Sequence, residues 1–163
     1  MAKYEGGFEC DKAAKEILKD IIVNKWFSAF TVVFDEENEM NGYAPVDVIF
    51  TAYTKSGKAV KYAIEIKHRM GYKHSDYPEW MIEKEKLNVL GEYVNNGFRA
   101  FYFNLFADGY YYLWDWKTME ENHSVKFKEI VPHTQGDDEK PTTKIRLFVK
   151  SYLAIRSGQT DCS

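Results

Sequence analysis

Two apolar-rich stretches, Val46–Tyr53 and Ala59–Lys67, flank a short breaker at Lys55, Ser56 and Gly57, and this pattern constrains the fold more than any other feature of the chain. Strand, short turn and strand close as an antiparallel hairpin. Side chains alternate along the second strand, so Ala63, Glu65 and Lys67 share one face while Tyr62, Ile64 and Ile66 point the other way. Asp47 heads the otherwise apolar run VDVIFTAY of the first strand, and the hairpin brings that strand alongside Glu65. Two acids and an amine are thus expected at one end of one strand pair.

The flanking segments suggest what covers this hairpin. Ala14, Ile17, Leu18, Ile21 and Ile22 recur at helical spacing within residues 11–25, opposite Lys12, Lys15, Glu16 and Lys19, which predicts an amphipathic first helix. Thr31–Phe34 reads as a short strand, and DEENEMNG after it is turn material. Pro78 suits a first helical position, and a helix is expected from there to Asn95, ended by Asn96 and Gly97. Phe98–Phe106 and Tyr110–Trp116 flank the Asp108-Gly109 turn as a second hairpin. His133–Thr143 is loop-like, Lys144–Val149 is a final strand or part of a helix, and the chain from Ser157 reads as a frayed tail. This order predicts an α/β (α+β) fold, a central mixed β-sheet flanked by helices.

At 163 residues the chain suits one domain, 1–163, and 45% hydrophobic with 17% aromatic residues supplies a core. The longest apolar runs are far short of the roughly 20 residues that span a bilayer. MAKYEGGFECDK does not resemble a secretory signal, and a cytoplasmic protein is expected. Cys10 and Cys162 stand at opposite ends, too few for a disulfide framework or zinc knuckle. A net charge of −3 argues against a protein that coats nucleic acid by bulk electrostatics. Between Lys55 and His74, however, six lysines and arginines, including Lys67, Arg69 and Lys73, accompany a single acid, Glu65. Such a segment is either a solvated basic hairpin or a phosphate-facing surface.

Like-charged carboxyls held within about 4 to 6 Å disfavour each other's ionisation, and a hard divalent cation with oxygen ligands removes the conflict. Such a cation polarises a phosphoryl oxygen and lowers the pKa of bound water, and an adjacent ammonium balances developing charge. Asp47, then after seventeen residues Glu65-Ile66-Lys67, on consecutive strands between two helices, resembles the PD-(D/E)XK nuclease superfamily over roughly residues 8–115. That superfamily includes restriction endonucleases, junction resolvases and exonucleases, many encoded by phages or mobile elements. The Pro-Asp pair itself is absent, since Val46 separates Pro45 from Asp47. The resemblance implies a restriction-endonuclease-like core and a Mg2+-dependent hydrolase of nucleic acid, expected to be DNA, with Mn2+ as a substitute. It implies Asp47, Glu65 and the main-chain carbonyl of Ile66 as metal ligands, Lys67 as the catalytic lysine, and a homodimer for duplex cleavage. The alternative is a non-catalytic nucleic-acid or protein-binding module that keeps the fold.

In a helix from Pro78, the apolar residues Trp80, Ile82, Leu87, Val89, Leu90, Tyr93 and Val94 fill an arc of about 180° that also contains Glu83 and Lys86. Either these two charges pair at i, i+3 or they line a polar site. By resemblance Lys86 matches the basic side chain that this helix contributes near the metal, with Glu83, Arg69 and Lys73 toward substrate. The superfamily often adds a first-helix acid, for which Glu9 and Asp11 are the candidates; Asp11 would equally serve as an N-cap. His68, His74, His123 and His133 lack metal-ligand spacing and are read as surface or structural. Tyr110, Tyr111, Tyr112, Trp114 and Trp116 are read as core rather than as base-stacking residues.

Overall fold

The computed structural model describes residues 13–35, 46–131 and 142–160. Glu9 and Asp11 lie outside the described residues, as does most of the loop expected at His133–Thr143. Helix α1 occupies residues 13–21 and widens into a π-helical turn at Ile22–Trp26. Strands β1 (Thr31–Phe34), β2 (Val48–Tyr53) and β3 (Ala59–Arg69) follow, then β4 (Glu79–Glu83) and α2 (Lys84–Asn95). The remainder is β5 (Phe98–Phe106), β6 (Tyr110–Asp115), α3 (Trp116–Glu121), β7 (His123–Val131), β8 (Thr142–Lys150) and β9 (Arg156–Gln159).

Among these residues the chain forms a six-stranded mixed sheet in the order β1-β2-β3-β5-β6-β9 and a three-stranded sheet β4-β8-β7. β3 and β5 pair in parallel, from Lys61 opposite Phe98 to Arg69 opposite Phe106. A parallel neighbour requires a crossover of a dozen or more residues, which β4 and α2 provide. The other neighbours in both sheets are antiparallel. This is a mixed α+β architecture, as the element order led one to expect.

The alternation of β3 assigns its two faces to two cores. Tyr62 and Ile64 pack with Ala14, Leu18 and Ile22 of α1 and with Phe50 and Phe103. Ala63, on the opposite face, packs with Leu87 and Leu90 of α2, with Trp80 and Ile82 of β4, and with Leu147 and Val149 of β8. The small sheet therefore lies with α2 over the face that carries Glu65 and Lys67. Gly97 ends α2 with a φ of +89°, and Gly109 turns β5 into β6 at +79°, both in the left-handed region that glycine enters without a steric penalty.

Three expectations need correction. The helix begins at Lys84 rather than Pro78, because Trp80 and Ile82 point inward by the two-residue alternation of a strand that pairs with β8. Ser157–Gln159 do not belong to a free tail: they lie in β9, which hydrogen-bonds to β6 with Gly158 opposite Tyr111, while residues 161–163 of the expected tail lie outside the described residues. Trp116 opens α3 instead of closing β6, and its indole Nε1 donates to Leu87 O at 3.1 Å, tying α3 to α2.

Candidate active site

The β2–β3 pairing runs from Tyr53–Ala59 to Val48–Ile64, while β3 continues through Arg69. Asp47 stands immediately before β2, at the point where that ladder stops. Its Oδ2 accepts the Ile66 N–H at 2.7 Å, which fixes the carboxyl against the strand that carries Glu65. Glu65 is almost sealed from solvent, at 6% exposure. Both acids line a cleft of about 240 Å³ with Lys67, Glu83 and Lys86, and Ile66, Met81 and Tyr102 complete its walls.

The electrostatics of the pair follow from this geometry. Burial, together with the hydrogen bond and the charge of Asp47, pushes the Glu65 carboxyl up to about 8, against an ordinary value of 4.5. Lys86 acts in the opposite direction, its Nζ lying 3.2 Å from Glu65 Oε2. The same contact raises the Lys86 pKa, chiefly through the Glu65 charge. Lys86 is the third residue of α2, and that start directs it to Glu65; Glu83, the last residue of β4, lines the same cleft from the small sheet.

Two carboxyls that cannot both ionise easily are suited to a cation. Asp47 Oδ1, the Glu65 carboxylate and the Ile66 carbonyl are hard oxygen donors. Among the described residues no group of three or more His, Cys, Asp or Glu side chains is arranged to hold a metal ion. A donor set this small suits Mg2+, which keeps several waters and is bound through one or two carboxylates plus substrate phosphate.

The basic segment divides. Lys67 is exposed and lines the cleft, whereas Arg69, two residues further on the same face, is buried. Its Nη2 donates to Met81 O at 2.6 Å and to Tyr102 Oη at 3.3 Å, and its Nε donates to Asn104 Oδ1 at 2.5 Å. The guanidinium also lies over the Trp80 ring. Arg69 is thus a tie between β3, β5 and β4 beneath the cleft rather than a surface cation awaiting substrate. Burial lowers its pKa, although the neighbouring tyrosines oppose that shift. Lys73 is exposed in the turn after β3, where its N–H donates to Asp76 Oδ2, and it lines neither this cleft nor the one beside it.

Sequence reasoning missed Tyr102 and Met81. Tyr102 lines the cleft and donates its hydroxyl to Met81 O at 3.1 Å, holding β4 to the main sheet. The available signal was the face of FYFNLF that places Tyr102 and Asn104 together, with Asn104 the one strongly polar residue within that apolar run.

Fold and site together define a mixed α+β protein with two carboxylates and two lysines converging on its central hairpin. No family model and no curated protein matches the chain. Among solved structures, it is similar to Archaeoglobus fulgidus Hjc, a Holliday junction resolvase from an archaeal hyperthermophile, at 12% identity, covering 88% of each chain with a TM-score of 0.45. Among the described residues no helix is long and apolar enough to cross a membrane.

Proposed function

We infer that the chain is a metal-dependent nuclease of the PD-(D/E)XK type that hydrolyses phosphodiester bonds of DNA, with Mg2+ as its cation and Mn2+ as a substitute. The observation that supports this best is the convergence of Asp47, Glu65, Lys67 and Lys86 on one cleft, with Glu65 held up to about 8 by burial and by Asp47. When bound, the cation would supply Lewis-acid polarisation of the phosphoryl group and a water acidified toward neutral pH. Asp47, Glu65 and the Ile66 carbonyl would hold it.

The chain's own residues do the rest. The Ile66 N–H keeps Asp47 oriented, so one carboxylate oxygen remains for coordination. Lys86 favours the ionised form of Glu65, which metal binding requires. Lys67 presents its ammonium at the cleft, where it orients the attacking water and balances the negative charge that builds on the phosphoryl oxygens. One such site cuts one strand, so cleavage of a duplex would use two copies of the chain.

A covalently closed plasmid incubated with Mg2+ or Mn2+, against an EDTA control, tests the proposal. Divalent-dependent nicking is expected, since a closed circle offers no end. Cleavage of linear DNA alone would make the enzyme an exonuclease. Binding without cleavage of either substrate would leave a non-catalytic module.

Lys86 yields a separate prediction. Replacing it with methionine removes the cation that lowers the Glu65 pKa, so the rise of kcat/KM with pH should move to higher pH. Because Lys86 is 53% exposed, the stability change should stay within about 1 kcal/mol. An unshifted pH profile accompanied by a large fall in Tm would assign Lys86 to the scaffold instead.

A further inference from the structure

A second cleft adjoins the first. It is lined by Lys15 of α1 together with Asp47, Ile66, Lys67 and His68, so the two clefts share Asp47, Ile66 and Lys67. Its origin lies in the strand lengths. β2 begins at Val48 opposite Ile64, and β3 runs on to Arg69, so among the described residues Ile66–Arg69 have no strand neighbour on the β2 side. Alternation along β3 then aims Lys67 toward the face of Ala63 and Glu65 and His68 toward the α1 face. Lys15 follows the buried Ala14 on α1 and closes the cleft from the helix side.

The charge of this cleft differs from that of its neighbour. It holds two lysines against one acid, and Oδ2 of that acid already accepts the Ile66 N–H. The first cleft holds three acids and two lysines. In sequence Lys15 falls on the solvated side of an amphipathic helix and His68 reads as a surface or structural residue; the fold brings both beside Lys67.

Resting on the nuclease reading, we propose that this second cleft is a subsite for the backbone phosphate adjacent to the scissile one, with Lys15 its principal contact and Lys67 beside it. A cation contributed by α1 would fix the register of the strand, because phosphate contacts position a nucleic acid without reading its bases. The single phosphate is the ligand: a point charge on a flexible stem suits it and imposes no sequence preference.

The test separates binding from cleavage. A fluorescein-labelled DNA duplex is titrated in EDTA with the parent chain, Lys15→Met and Lys15→Arg, followed by anisotropy over a series of salt concentrations. Lys15→Met should weaken binding and reduce the steepness of log K against log salt by about 0.9, the loss of one phosphate contact on duplex DNA. Lys15→Arg should restore the parent slope. Duplexes carrying a neutral methylphosphonate at one position at a time should include one, next to the cleaved bond, that weakens the parent but costs Lys15→Met nothing further. Equal slopes and an equal methylphosphonate penalty in parent and Lys15→Met would overturn the subsite, as would failure of the parent to bind the duplex. If the binding pattern holds and the parent cuts no DNA with Mg2+, the nuclease reading fails and the cleft stands only as a site for one backbone phosphate.

Discussion

Asp47→Ala, Glu65→Ala and Lys67→Ala are each expected to abolish divalent-dependent DNA cleavage while leaving the circular dichroism spectrum native. For the acids the loss should reach about 10³-fold or more, because a bound cation supplies several kcal/mol of charge stabilisation and each ~1.4 kcal/mol is tenfold in rate. For Lys67 a fall of about 10²- to 10³-fold is expected, the usual effect of removing one preorganised charge-stabilising group. Lys67 is exposed, so its removal should cost the fold little. Asp47 holds the Ile66 N–H, so Asp47→Asn, which retains an accepting oxygen, is the control for folding. Full activity in any two of the three alanine variants would remove the assigned site.

The second large effect is on stability, without metal, and it depends on pH. The Glu65 carboxyl sits at about 8 in the folded chain and at an ordinary 4.5 when exposed, so the folded state binds this proton more tightly than the unfolded state. Its contribution to stability is therefore complete below about 4.5, declines as the pH rises, and is gone above about 8. At about 1.4 kcal/mol per pKa unit the loss amounts to several kcal/mol. Glu65→Gln keeps the shape and cannot ionise. Denaturant melts of the metal-free proteins should show the parent losing stability relative to Glu65→Gln between pH 5 and 8, with the variant the more stable at pH 8. Parallel stability profiles would mean that Glu65 ionises in the fold as it does in water, and that Asp47 does not share its surroundings.

The parts of this molecule that could be read from sequence are those in which local pattern and tertiary environment agree. β1 and β5 fall where alternation and turn residues put them, and the Asp108-Gly109 turn joins β5 to β6 as expected. The placement of Asp47 beside Glu65 followed from hairpin register alone. β4 reads as helix in the sequence because Trp80 and Ile82 satisfy both a two-residue alternation and, with Leu87, Leu90 and Tyr93, a helical arc. Five residues are too few to separate the two periods, and only pairing with β8 decides. RSGQ of β9 has no apolar pattern, and its strand exists because β6 offers a free edge. Charge composition groups Arg69 with the other basic residues of its segment, although strand parity puts it on the face of Ala63 and Glu65. The length of β3 and the residues of β4 and β5 that enclose it make it a buried tie, and charge composition carries no trace of that. For Lys86 the helical arc leaves open a pair with Glu83 or a place in the polar site; starting α2 at Lys84 turns it to Glu65.

A manganese titration most directly tests whether Asp47 and Glu65 hold one divalent cation between them. Free Mn2+ is followed by its electron paramagnetic resonance signal as protein is added, for the parent, Asp47→Ala, Glu65→Ala and Lys67→Ala, at a pH above 8 where Glu65 is ionised. The parent and Lys67→Ala should take up the ion, because an ammonium is no ligand, and both acid variants should leave it free. Uptake by the acid variants equal to that of the parent, or none by the parent itself, would contradict the shared site.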